Sequence, residues 1–203
     1  MRLGIMGGTF DPIHFGHLVT AEEALVQFNL DRVLFMPTGH PVLKADQRLT
    51  SAEDRYLMTV IATAANPDFD VSRLEVDRPG LTYTIDTLTA LRDEYGPAAE
   101  LFFITGADAV WDIVGWKAAE RVADLATFIA ATRPGYDLAA ARASHEQQAT
   151  AFRIESIEVP ALAISSTDLR ARVAQRRAIR YLTPEAVGAY IEKRGLYLEA
   201  GPA

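Results

Sequence analysis

Two imidazoles stand three residues apart at His14 and His17, and the segment ahead of them reads Gly7-Gly8-Thr9-Phe10-Asp11-Pro12-Ile13. That grouping suits an anion. Glycines at 7 and 8 would let the backbone turn sharply and approach a ligand closely. The imidazoles supply N–H donors, and a helix starting near His17 would aim its unbonded first-turn amides at the same point. Donors gathered in this way could hold a phosphate and stabilise charge developing on phosphorus under attack, without a covalent intermediate. The spacing is neither the GxGxxG of a dinucleotide fingerprint nor a Walker-type loop, since Gly4, Gly7 and Gly8 do not fit and no GK[ST] follows. A second segment of related chemistry is Ile164-Ser165-Ser166-Thr167-Asp168-Leu169-Arg170. Its serines would cap a helix and offer hydroxyl and amide hydrogens to an anion. Arg170 lies one turn beyond Ser166, and helical side chains lean toward the N-terminus, so its guanidinium could return to that anion. Standing alone, the segment reads equally well as a capped helix with a solvated arginine.

Segments so far apart need a scaffold that presents them together. Short apolar runs alternate along the chain with stretches of helical periodicity. Leu3–Met6, Arg32–Met36, Phe69–Leu74, Leu101–Thr105, Thr127–Ala131 and Phe152–Val159 read as strands. Leu18, Ala21, Leu25 and Phe28 form one helical stripe, and Leu57, Val60, Ile61 and Ala64 form another, opened by a capping box at Thr50-Ser51-Ala52-Glu53. Thr84 caps a helix bearing Ile85, Leu88 and Leu91. Thr183-Pro184 starts the last helix, with Pro184 at the first helical position, and Gly195 closes it. The Ala-rich stretch 138–148 carries no strong apolar stripe. Strands alternating with helices imply an α/β class: one Rossmann-like, doubly wound parallel sheet with helices on both faces. Residues 1–203 are expected to form one domain, with 165–197 as its C-terminal helical part. Ligands in such sheets bind beyond the carboxyl ends of the strands, which is where both segments fall.

Bulk composition narrows the possibilities. The 203 residues are 49% hydrophobic and 23% charged, as in ordinary globular proteins. Twenty Lys and Arg against 27 Asp and Glu give a net charge of −7, which speaks against nonspecific nucleic-acid binding. No cysteine is present, so disulfides, zinc–thiolate sites and a Cys nucleophile are excluded. No stretch reaches the ~20 apolar residues of a membrane span. A cytoplasmic protein is expected.

The paired motifs, His14-Phe15-Gly16-His17 and Ile164-Ser165-Ser166-Thr167-Asp168-Leu169-Arg170, resemble the signature of the nucleotidyltransferase superfamily with HxGH and ISSTxxR motifs. Within it the chain is most similar, from Leu3 to about Tyr197, to the bacterial nicotinate-nucleotide adenylyltransferase family. Gly80-Leu81-Thr82-Tyr83-Thr84 with Thr87-Leu88, Gly106-Ala107-Asp108 with Trp116, and Arg133-Pro134-Gly135 carry that narrower likeness. The resemblance implies transfer of AMP from ATP to nicotinate mononucleotide, giving deamido-NAD and pyrophosphate in NAD biosynthesis. By the same resemblance His14, His17, Ser165, Ser166 and Arg170 carry the transfer. Gly7, Gly8, Thr9, Phe10, Gly16, Gly106, Asp108 and Arg133 would hold ATP, with Asp108 on the ribose hydroxyls. Lys44, Thr82, Tyr83, Thr84, Trp116 and Lys117 would hold the nicotinate nucleotide. There, main chain around Thr84 and Lys117 meets the carboxylate and Trp116 stacks on the pyridine ring. Mg²⁺ is expected on the ATP phosphates, with no metal-binding residue assigned. The family's Pro-x-x-x-Pro-Pro-His-Lys loop is here Pro37-Thr38-Gly39-His40-Pro41-Val42-Leu43-Lys44, which keeps the lysine but lacks the second proline and its histidine. Lys44 therefore reads as a phosphate contact or as a solvated lysine. Family members assemble into dimers or larger forms, so a homo-oligomer is expected. Alternatives are a member of the superfamily with another acceptor (nicotinamide mononucleotide or phosphopantetheine) and a catalytically silent nucleotide-binding domain.

Overall fold

A computed structural model of the chain describes residues 1–42, 49–107, 117–132, 152–160 and 162–198. In chain order the described elements are β1 (Arg2–Gly8), α1 (Phe15–Gln27), β2 (Arg32–Pro37), α2 (Ala52–Thr63), β3 (Phe69–Val71) and α3 (Thr84–Tyr95). They continue with β4 (Glu100–Gly106), α4 (Ala119–Leu125), β5 (Thr127–Thr132), β6 (Ile154–Glu158), α5 (Ser166–Ala174) and α6 (Glu185–Arg194). The six strands form one sheet in the order β3-β2-β1-β4-β5-β6, and every pairing is parallel. This is the doubly wound α/β architecture expected from the alternation. The strand order reverses between β1 and β4, so the crevice beyond their carboxyl ends is where such a fold binds ligands.

Alternation along the strands feeds two cores. Leu3 and Ile5 of β1, Leu101 and Phe103 of β4 and Phe128 of β5 pack with Leu88 and Leu91 of α3 and Val122 of α4. Met6, Phe102, Ile104 and Ile129 point the other way, toward Ala21 and Ala24 of α1, Met58 of α2 and Val187 and Ile191 of α6. Successive strand residues face opposite sides, so a sheet buried on both faces needs apolar residues at consecutive positions. The run Leu-Phe-Phe-Ile in β4 supplies them.

Several local expectations need correction. The buried side of α2 is Asp54, Arg55, Met58, Thr59 and Thr63, not the stripe of Leu57, Val60, Ile61 and Ala64. A polar face was buried because its groups are bonded: the hydroxyls of Thr59 and Thr63 donate to carbonyls one turn back. The cap of α2 is Ser51, one residue later than expected, and its Oγ accepts from the Asp54 amide at 3.0 Å. Tyr83 rather than Thr84 is the cap of α3, and Pro184 is the cap of α6 rather than its first helical residue. Gly195 closes α6 at φ 61°, as expected for a C-cap glycine. The third strand spans three residues, Phe69–Val71, shorter than the expected Phe69–Leu74, and its last ladder bond runs from the Ser72 amide to the Phe35 carbonyl. No described helix is long and apolar enough to cross a membrane.

Candidate active site

The segment joining β1 to α1 leaves the carboxyl edge of the sheet at its centre. Gly7 and Gly8 are strand residues and make no sharp turn. They are small because aromatic rings lie on their Cα atoms: a Cβ at Gly7 would come 2.9 Å from Phe103 and one at Gly8 2.7 Å from Phe10. The turn comes at Phe10, which adopts φ 49° with its side chain buried. Beyond it, His14 is the N-cap of α1 and His17 its third helical residue. The backbone N–H of His14 donates to Nδ1 of His17 at 3.2 Å, and the two rings stack with centroids 3.7 Å apart. Gly16 completes the motif by contact, since a Cβ there would lie 3.0 Å from Cε1 and Nδ1 of His14. The first turn of α1 carries no acidic residue, which leaves its positive end uncompensated.

These contacts determine the protonation of the pair. His14 is 7% exposed, and burial pushes its imidazole down to about 4, so the ring is neutral at physiological pH. Its buried Nδ1 has no hydrogen-bond partner among the described residues. Nδ1 of His17 accepts a hydrogen bond and so carries no proton, which puts the ring N–H of His17 on Nε2. The pair offers neutral N–H donors, not two cations.

The loop carrying these histidines is bonded from outside. Ser166 Oγ donates to the Pro12 carbonyl at 2.8 Å and Arg170 Nη1 to the Asp11 carbonyl at 2.7 Å. Thr183 Oγ1 donates to the Ile13 carbonyl at 2.8 Å, and the Phe15 amide donates to the Leu182 carbonyl. The Asp11 carboxylate accepts from Tyr197 Oη at 2.7 Å and from the Thr50 amide at 3.3 Å. The fold thus brings the two motifs together, through direct bonds. It also alters one expectation: the single hydroxyl hydrogen of Ser166 goes to Pro12 rather than to an anion. Ser165 caps α5 by accepting from the Asp168 amide, which leaves its own hydroxyl hydrogen to donate. Arg170 keeps further N–H groups beyond those given to Asp11 and Thr167.

A second flank forms where the segment after β2 meets the segment before α3. The Thr82 amide donates to the His40 carbonyl at 3.0 Å, and the His40 amide reaches Thr82 Oγ1 at 3.4 Å. Tyr83 and Thr84 then open α3, and Lys117 Nζ lies 4.2 Å above the Tyr83 ring and 4.0 Å from the Asp86 carboxylate. Thr82, Tyr83, Thr84 and Lys117 are therefore grouped at one helix N-terminus. Thr9 follows β1, and Gly106 ends β4, where a Cβ would meet none of the described residues within 4 Å. Lys44, Asp108, Trp116 and Arg133 lie outside the described residues.

A model of the cytidylyltransferase-like family matches residues 5–172. The chain belongs to that family. A relative from Moorella thermoacetica named "Probable nicotinate-nucleotide adenylyltransferase" is 56% identical over 198 residues, 97% of this chain and 91% of the relative. One of the same name from Corynebacterium kroppenstedtii is 56% identical over 200 residues, 98% of this chain and 92% of the relative. The structure of Plasmodium falciparum nicotinic acid mononucleotide adenylyltransferase complexed with APC is 22% identical and covers 97% of this chain and 96% of its own, with a TM-score of 0.76. That last likeness concerns the fold. The family read from the paired motifs is borne out, and the chain is an enzyme of the nucleotidyltransferase class.

Read within the cytidylyltransferase-like fold, the residues missed in sequence are those that hold the motifs in place: Asp11, Arg55, Thr183 and Tyr197. Arg55 gave no local signal of burial, because it follows Glu53 and Asp54 and reads as part of a solvated charged face. Thr183 was read as a helix start, and its hydroxyl acts across the fold instead. Nothing local marked Tyr197, whose partner lies 186 residues away.

Proposed function

We infer that this chain transfers AMP from ATP to nicotinate mononucleotide, forming deamido-NAD and releasing pyrophosphate. The observation that carries the reading is the stacked, neutral His14–His17 pair at the start of α1, bolted to α5 through Ser166 and Arg170. Such a site supplies hydrogen bonds and one fixed cation to a phosphate chain, which suits direct in-line attack. An oxygen of the mononucleotide phosphate attacks the α-phosphorus in line. The new P–O bond forms as the bond from that phosphorus to the oxygen bridging the β-phosphorus breaks, and the electron pair leaves with pyrophosphate. A phosphate monoester is anionic near neutral pH, so the step needs alignment and charge stabilisation more than a base. His14 and His17 donate to the reacting phosphate oxygens, the α1 and α5 first-turn amides and Ser165 surround them, and Arg170 supplies positive charge. Among the described residues no three His, Asp or Glu side chains are grouped to hold a metal. Mg²⁺ would enter on the ATP phosphates, as MgATP.

The acceptor reading draws on the second flank. Amides opening α3 at Thr84, with the Lys117 ammonium beside Tyr83, suit the pyridine carboxylate of nicotinate better than a neutral amide. The test is a panel of nicotinate mononucleotide, nicotinamide mononucleotide and phosphopantetheine with ATP and Mg²⁺, read as pyrophosphate release. Turnover should be fastest with nicotinate mononucleotide. Preference for phosphopantetheine would move the chain elsewhere in the superfamily, and no release with any acceptor would leave a silent nucleotide binder.

A further inference from the structure

Arg55 of α2 is 1% exposed, and its guanidinium serves three separate segments. Nε donates to the Thr50 carbonyl at 3.0 Å, Nη1 to the Thr9 carbonyl at 2.8 Å and the Thr38 carbonyl at 2.6 Å, and Nη2 to the Gly39 carbonyl at 2.9 Å. Each of these bonds goes to a carbonyl. The carboxylates that act on its charge, Asp11 and Glu75, do so through space. Burying a guanidinium without a directly bonded carboxylate is costly, and a chain that needed only stability could place an apolar side chain here. What the guanidinium alone provides is a planar fork that reaches carbonyls on several sides at once; a lysine presents its donors from one point. Thr9 follows β1 in the loop leading to the histidines, whereas Thr38 and Gly39 follow β2 and lead to His40, which pairs with Thr82. Gly39 has no room for a side chain, because a Cβ there would come 2.1 Å from the Glu75 carbonyl oxygen.

We propose that Arg55 is a positioning residue for adenylyl transfer: one buried guanidinium fixes the spacing between the ATP-side loop at Thr9 and the acceptor-side loop at Thr38 and Gly39. The proposal rests on the functional reading above. Spacing of this kind governs how the acceptor oxygen lines up with the α-phosphorus, and it matters little to ATP binding alone.

The experiment compares the native chain with R55K and R55M in steady-state turnover of ATP and nicotinate mononucleotide, together with calorimetric ATP binding and thermal melts. R55K should lose about 10- to 100-fold in kcat, since misplacement by ~1 Å can cost ~100-fold. R55M should lose more, and the ATP dissociation constant of R55K should stay within about threefold of native. A kcat per folded R55K molecule within about twofold of native would overturn the proposal, as would a loss appearing wholly in ATP affinity. An R55K chain that does not fold would also overturn it, because Arg55 would then be a determinant of folding. Native turnover tests the functional reading; the ratio of R55K to native tests Arg55.

Discussion

Glu75 offers a quantitative test of the packing beneath the site. Its carboxyl is 6% exposed, accepts from Thr87 Oγ1 at 2.7 Å and faces the charges of Arg78 and Arg55. Burial outweighs the hydroxyl and the cations and pushes it from 4.5 up to about 7. An acid raised in this way favours the protonated folded chain, so its contribution is complete below pH 4.5 and is lost as pH rises through 7. About 2.5 pH units at ~1.36 kcal/mol each amounts to roughly 3 kcal/mol. Glu75→Gln keeps the acceptor for Thr87 and cannot ionise. Relative to the native chain, E75Q should therefore gain roughly 3 kcal/mol of stability between pH 4.5 and 8. His14 has the opposite sign: lowered from 6.5 to about 4, it favours the neutral folded chain above pH 6.5 and withdraws that stability as pH falls toward 4. In the native chain the two slopes oppose each other between about pH 4.5 and 6.5, whereas E75Q exposes the His14 slope alone. The assay is urea unfolding of both chains at pH 4.5, 6 and 8, which brackets the rise of Glu75 from 4.5 to about 7. A stability difference between them that changes by less than about 1 kcal/mol across that range would refute the reasoning.

Other perturbations probe the loop directly. His17→Ala removes a neutral donor and the acceptor for the His14 amide, and should lower kcat by about 10²- to 10⁴-fold with far-UV circular dichroism unchanged; an unaltered rate would defeat the proposed mechanism. Gly16→Ala drives a methyl against the His14 ring and should lower kcat at least about tenfold in the same pyrophosphate assay, through misplacement of the imidazole. Thr183→Val keeps the shape but leaves the Ile13 carbonyl unsatisfied in a buried place, at a cost of about 1–3 kcal/mol in urea unfolding.

The sheet was legible because its signal is local and repeated: a buried parallel strand such as β4 must be apolar at consecutive positions, and the helices between strands show their own period. The helix faces were less so. On α2 the apolar stripe was read as the buried face, while the fold buries Thr59 and Thr63, whose hydroxyls bond one turn back, and Arg55, whose donors go to four carbonyls outside its own helix. The motifs were legible as a chemical class because two segments rich in anion donors occur in one chain, although the serine–arginine segment alone reads equally well as a capped helix. Their relation to one another was not, since Ser166 meets Pro12 across 154 residues and Arg170 meets Asp11 across 159. Sequence periodicity reports what happens within a turn or a strand, and these bonds depend on how α5 returns across the sheet edge.

That return also explains how a loop without regular structure can aim its amides. In a trans peptide the carbonyl and the following N–H point in opposite directions. Arg55 draws the Thr9 carbonyl toward the protein, Ser166 draws that of Pro12 and Thr183 that of Ile13. The amides of Phe10, Ile13 and His14 must then face away from those donors. The last of these can be checked: the His14 N–H, opposite the carbonyl held by Thr183, is the one that meets Nδ1 of His17. Holding the carbonyls from behind therefore orients the His17 ring in front, with its remaining N–H on Nε2. In the proposed transfer the hydroxyls of Ser166 and Thr183 act on the phosphate through this backbone, because each donates its hydrogen to a loop carbonyl. The serine–arginine motif is coupled to the histidine motif because it shapes the backbone from which the histidines act.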